Sequence, residues 1–274
     1  MVGKRKNLKR EESSAAAELL LLATFALPEA RLRVNINILH MRREKFAPGE
    51  YYHIYNRTIL NIPEFKDNKN ADKLVRGFLV ANSTESSRVF DYLRDNKNIE
   101  INEIIDILRK GERLVDILSY VVMPDHYHLL LKELRDGGIT SFIQKCNTSI
   151  AKYINIKKRR TGPLFDSRFK SKHIDSNKYL VHVSLYIHLN PLDFIDSPIW
   201  RNHRLVNWRF KKEKLLNYPW SSLKRFLGDD FENPVLSGEK IILDQFNKDK
   251  REYELLLQEW SEGMLNEIKD IVIE

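Results

Sequence analysis

The stretch that most constrains this chain is an interrupted apolar run near its middle. Leu114 to Val122 is apolar and β-branched. Met123-Pro124-Asp125 interrupts it, and His126 to Leu131 resumes it with Leu129, Leu130 and Leu131. Proline has no amide to donate to a sheet, and aspartate favours turns. The run therefore reads as two buried strands joined tightly, with a sheet at the centre of the fold.

The flanking sequence supplies the rest of that sheet and its cover. Tyr51 to Asn56 reads as a strand, and Asn70 to Ala81 has helical spacing through Leu74, Phe78 and Leu79. After a polar break at Ser83–Ser87, Arg88–Arg113 holds two further helical patterns, Val89–Leu93 and Ile101–Leu108, separated by Asp95–Asn98. Gly137-Gly138 ends the second central strand. Ile139–Ile156 is helical, with Ile143, Ile150 and Ile154 on one face, and Lys157–Gly162 is a basic loop. Phe169–Ile174 is a short strand, and Ser176 caps a helix that runs to about Asn190 and stops at Pro191. The order β-α-β-β-α-β-α matches a ferredoxin-like α+β layout, with extra helices inserted after the first helix.

Three segments follow from this. Residues 1–40 pass from a basic stretch through an Ala/Leu-rich block to Arg31–His40, and read as an appended or mis-started extension. An ordinary amphipathic N-terminal helix is the other reading. Residues 41–228 form the main domain, with its helical insertion at about 83–113. Residues 229–274 form a more acidic helical tail, with Leu255, Leu256, Trp260 and Met264 as packing residues at helical spacing.

Charge and cysteine content narrow the function classes. The 274 residues carry 46 Lys and Arg against 38 Asp and Glu, a formal charge of +8. Such a surplus favours a polyanionic partner, nucleic acid or an anionic membrane, without choosing between them. The single cysteine, Cys146, excludes an internal disulfide framework and any multi-cysteine zinc site. It reads as a small core residue in a reducing, cytoplasmic setting. No stretch reaches the roughly 18–20 apolar residues of a membrane span, and Ala15–Leu27 is interrupted by Glu18.

Three groups of residues could carry chemistry. In His126-Tyr127-His128 strand alternation turns both imidazoles to one face and Tyr127 to the other. Two histidines on a rigid strand can begin a divalent-metal site, or be an ordinary surface pair. Tyr186 and Asn190 lie four apart on one helix face. The phenol suits a nucleophile and the amide oxygen suits a hard cation. The same two residues also fit a core aromatic and a helix end. The third group is Lys157, Lys158, Arg159 and Arg160, then Arg168, Lys170 and Lys172, with Phe165 and Phe169 interleaved. Cations that grip phosphates beside aromatics that stack on bases suit single strands, though a solvated face reads the same way. A second basic run spans Arg201 to Lys214.

Together these residues resemble a family, the single-tyrosine HUH transposases, and within it the REP-associated relatives of the IS200/IS605 enzymes. The resemblance spans roughly Gly49 to Gly228. Its blocks are Tyr51-Tyr52-His53-Ile54-Tyr55-Asn56-Arg57, Tyr120 to Leu131 with the HUH pair, Gly162 to Ser171, Tyr179-Leu180 with Tyr186-Ile187-His188-Leu189-Asn190-Pro191, and Trp220-Ser221-Ser222. It implies that His126 and His128 bind Mg²⁺ or Mn²⁺, with Asn190 as third ligand where the IS200/IS605 branch usually has Gln. It implies that Tyr186 is the nucleophile of a metal-dependent single-stranded DNA endonuclease and strand-transferase, working through a 5′-phosphotyrosine intermediate. The implied partner is single-stranded DNA with a hairpin or palindromic repeat, gripped by Arg57 and the Lys157–Lys172 segment, with the protein a monomer or homodimer. The alternative is a DNA-hairpin binding protein that keeps the fold and no longer cuts.

Overall fold

The computed structural model describes residues 45–95, 101–195, 207–228, 233–247 and 249–262. The expected 1–40 extension, the Asp95–Asn98 separator beyond Asp95, the start of the Arg201–Lys214 run and Met264 lie outside them.

Four strands form the sheet: β1 (Tyr51–Arg57), β2 (Val115–Val122), β3 (His126–Glu133) and β4 (Lys170–Ile174). Their order is β2-β3-β1-β4, and every neighbouring pair is antiparallel. With α1 (Asn68–Ala81) between β1 and β2 and α4 (Gly138–Lys157) between β3 and β4, this is the ferredoxin-like arrangement expected from the sequence. The insertion between α1 and β2 holds α2 (Ser86–Asp95) and α3 (Ile101–Arg109). The polar break is shorter than the expected Ser83–Ser87. The Ser83 hydroxyl accepts from the Glu85 amide and Ser86 Oγ donates to the Ser83 carbonyl, so Ser86 and Ser87 already belong to α2.

Strand alternation divides the core in two. One face buries Tyr52, Ile54, Tyr127, Leu129 and Leu131 against Leu74 and Phe78 of α1 and Phe142, Ile143, Cys146 and Ile150 of α4. Cys146 is buried there, as its sequence context suggested, and burial raises its thiol pKa. At the start of α4 the buried carboxylate of Glu133 accepts from the amides of Gly138 and Ile139, which anchors the helix to the end of β3.

The other face packs against α5 (Asn177–Leu189). The Ser176 hydroxyl accepts from the Tyr179 amide at its start. Beyond it lie α6 (Leu192–Ile195), α7 (Trp208–Leu216), α8 (Leu223–Leu227), α9 (Glu239–Leu243) and α10 (Lys250–Ser261). The inward stripe of α10 is Tyr253 and Leu257, with Leu256 and Trp260 partly buried. Leu255 points outward at 57% exposure, so its expected packing role is not seen. The stripe is set instead by Tyr253, whose hydroxyl meets Ser184 Oγ at 2.6 Å and His188 Nδ1 at 2.6 Å. His188 Nε2 meets Ser222 Oγ at 2.8 Å, and Ser222 also bonds both the amide and the carbonyl of Tyr120. This buried chain ties α5 to the open edge of β2 and to α10. Trp220-Ser221-Ser222 thereby has a structural role: it bridges β2 at Val121 and Val122.

Candidate active site

The site lies where β1 and β3 face α5. In the β1–β3 register Arg57 pairs with His126, Tyr55 with His128 and His53 with Leu130. Residues two apart share a face, so His126, His128, His53, Tyr55 and Arg57 all turn toward α5 or its border. Tyr127 turns away, as expected. It is fully buried, donates to Asn147 Oδ1 at 2.9 Å and packs on Phe78 and Phe165.

The two imidazoles of the HUH pair meet edge to face, with centroids 4.9 Å apart. Each is held by its Nδ1. His126 Nδ1 meets Asp125 Oδ1 at 2.7 Å, and His128 Nδ1 meets His53 Nε2 at 2.9 Å. Ligating histidines are oriented in this way, by a second partner on the nitrogen away from the metal. The Nε2 of His126 is buried and has no hydrogen-bond partner. An orphaned imidazole nitrogen beside a second oriented imidazole fits a borderline divalent cation. Among the described residues no three His, Cys, Asp or Glu side chains are grouped to hold a metal ion.

Burial keeps His53 neutral. It lowers the pKa of His53 from its usual 6.5 to about 3, with help from the nearby charge of Lys172. A neutral His53 can accept at Nε2 only if its own proton sits on Nδ1. In that tautomer His128 donates from Nδ1 and keeps a lone pair on Nε2, as a metal ligand needs; in the other tautomer His53 donates and His128 accepts. At Asp125 burial opposes ionisation. The hydrogen bond and charge of His126, with the charge of Arg57, outweigh it and hold the carboxyl below the usual range. The sequence alone assigns no role to His53 or Asp125. His53 stands within a strand motif, and its pairing with His128 depends on a register between residues 75 apart. Asp125 read as a turn residue.

Tyr186 is 7% exposed and presents its ring edge-on to His128, with centroids 5.5 Å apart and planes at 87°. It stands 6.0 Å from His53. Asn190 follows one turn later, and its Nδ2 donates to the Tyr186 carbonyl at 3.1 Å. The side chain is folded back on its own helix, which leaves Oδ1 as its ligand-capable atom.

The cations of the basic stretch have different partners. Lys157 pairs with Asp67 at 2.6 Å and reaches Asn70 Oδ1. Lys158 pairs with the buried Glu64 at 2.5 Å, and Arg160 stands 3.6 Å from the same carboxylate. Three of the four cations in this run are thus met by acids. Arg159 is exposed and takes a left-handed backbone, φ 50°. Arg168 is exposed, and so are Lys170 and Lys172 on β4. Arg57 stands 3.9 Å from Asp125, so it adjoins the histidine site through that carboxylate. Phe165 departs from expectation: it is 8% exposed and packs against Tyr127 and Phe65, so its ring is core and cannot stack on a base. Phe169 lies parallel to Phe46, 6.2 Å away.

Over residues 86–190 the chain matches a family model described as IS200-like transposase. That segment carries β2, β3, α4, β4 and α5, and with them His126, His128, Tyr186 and Asn190. Residues 86–190 are thus similar to the IS200-like transposases. A search of solved structures finds similarity to the REP-associated tyrosine transposase bound to a REP hairpin. The identity is 14% and the TM-score 0.43, over 72% of this chain and 91% of that one. No curated protein matches the chain. Among the described residues no helix is long and apolar enough to cross a membrane.

Proposed function

We propose that this protein is a metal-dependent single-stranded DNA endonuclease and strand-transferase. It acts at hairpin or palindromic DNA in the cytoplasm through a 5′-phosphotyrosine intermediate. One observation carries the reading: the phenol-bearing ring of Tyr186 stands edge-on to His128, which is paired with His126 on one strand face.

His126 and His128 would hold Mg²⁺ or Mn²⁺ through Nε2, with Asn190 Oδ1 as the third candidate ligand. The chemistry such an ion supplies is polarisation of the scissile phosphate and neutralisation of charge developing on it. The chain's own residues do the rest. Tyr186 Oη attacks phosphorus, an Oη–P bond forms, the P–O3′ bond breaks and the leaving 3′ oxygen takes a proton. Attack by a 3′-hydroxyl reverses the step, so rejoining needs no nucleotide cofactor. Asp125 and His53 hold the two imidazoles, and the buried chain from Tyr253 through His188 to Ser222 fixes the helix that carries the nucleophile.

Labelled hairpin DNA with a single-stranded flank, incubated with Mn²⁺ and run on a denaturing gel, tests this. The expected result is a covalent adduct that is lost in Tyr186→Phe and kept in Tyr127→Phe; the opposite pattern refutes the nucleophile. His126→Ala should stop cleavage and leave hairpin binding intact. Hairpin binding with no adduct in the unaltered protein would favour the non-cutting alternative.

A further inference from the structure

The cations near the site differ in what holds them. Lys157 and Lys158 are fixed by carboxylates, which neutralise them as they position them. Lys170 and Lys172 are fixed by aromatic faces. Lys170 Nζ lies over the Tyr55 ring at 5.7 Å, and Lys172 Nζ over the Tyr179 ring at 5.2 Å. A ring quadrupole holds an ammonium without cancelling its charge. Both lysines are exposed on β4, an edge strand, and neither forms an ion pair among the described residues.

Their placement matters. In the β1–β4 register Lys170 pairs with Tyr55 and Lys172 with His53. Tyr55 in turn stacks on His128 at 5.7 Å and on His53 at 5.3 Å. Tyr179 lies seven residues before Tyr186, two turns back along α5 and on the same face. The two lysines stand two residues apart on a strand, about 6.6 Å, a spacing similar to that of consecutive phosphates in an extended nucleic acid strand.

We propose that Lys170 and Lys172 form a two-phosphate clamp for the unpaired DNA strand that leads to Tyr186, and that Tyr55 and Tyr179 are positioning residues for the two ammoniums. This deepens the function proposed above. It separates the single-strand site at β4 from the neutralised cations at the end of α4.

The probe is an oligo(dT) of about a dozen nucleotides, long enough to span one single-strand site. Its binding to the full chain is measured against salt without Mn²⁺, so that the outcome does not depend on cleavage. Each phosphate contact contributes about 0.7 to the slope of log K against log salt for single strands. The double variant K170Q/K172Q should flatten the slope by about 1.4 and weaken binding about 25-fold at 0.1 M salt, with the difference vanishing toward 1 M. Lys157→Gln should leave the slope unchanged. Tyr179→Phe keeps the ring and loses a hydroxyl that has no hydrogen-bond partner, so it should bind like the unaltered protein. Tyr179→Leu should weaken binding several-fold.

An unchanged slope in the lysine variant overturns the clamp, as does an equal loss in Lys157→Gln. Equal behaviour of Tyr179→Phe and Tyr179→Leu overturns the positioning role. An absent Mn²⁺-dependent adduct alongside a normal salt response counts against the nuclease reading and leaves the clamp supported.

Discussion

Replacing His53 by leucine should separate stability from function. His53 is fully buried, and its Nε2 holds His128 Nδ1 at 2.9 Å, while its own Nδ1 has no hydrogen-bond partner. The substitution orphans His128 Nδ1, a penalty of about 1–3 kcal/mol, and removes the orphaned Nδ1 of His53, a relief of similar size. The two nearly cancel, so stability should change by less than about 1 kcal/mol and Tm by less than about 4 °C for a chain of this size. Function should not be spared. Without His53, His128 Nδ1 loses the hydrogen bond that orients its ring. Loss of such an outer partner lowers metal affinity or activity about 10–100-fold. Mn²⁺ titration by calorimetry, with thermal melting of the same samples, measures both. Unchanged Mn²⁺ affinity with an unchanged Tm would refute the claim that His53 orients His128. A fall in Tm of 10 °C or more would show that its role is in packing.

Two further predictions concern the core. Phe165→Ala should cost about 3 kcal/mol or more and lower Tm by at least roughly 6 °C, because the ring is packed on Tyr127 and Phe65; an unchanged melt would return Phe165 to the DNA surface. Stability should also fall with acid. His188 is held neutral by burial, its pKa down from 6.5 to about 3, and His53 behaves alike. The unfolded chain takes up protons below pH 6.5 that the folded chain refuses until about pH 3, so the stabilisation is complete above 6.5 and lost downward through that window. From pH 7.5 to 5.5 each histidine should remove about 1.4 kcal/mol. Urea denaturation at the two values measures it, and a flat result refutes it.

Much of the site was legible because it rests on local periodicity. The period of two in His126-Tyr127-His128 places two imidazoles on one face whatever surrounds them, and the period of 3.6 places Tyr186 and Asn190 together. The strand break at Pro124 and the cap at Ser176 are equally local, and with the apolar patterning they set the ferredoxin-like order. What lay beyond the sequence depends on contacts between distant segments. Which group bonds Nδ1 of His128 depends on the β1–β3 register, and the answer is His53, held neutral by burial. Which cations keep their charge depends on whether a carboxylate or an aromatic ring packs beside them: Glu64 and Asp67 meet the α4 cluster, whereas Tyr55 and Tyr179 meet the lysines of β4. Phe165 reads the same in sequence whether it stacks on a base or on Tyr127, and only the packing decides. The sequence by itself determined the order of elements and the chemical groups on each face. Tertiary structure alone decided their protonation, orientation and available charge, because those depend on burial and on neighbours far along the chain.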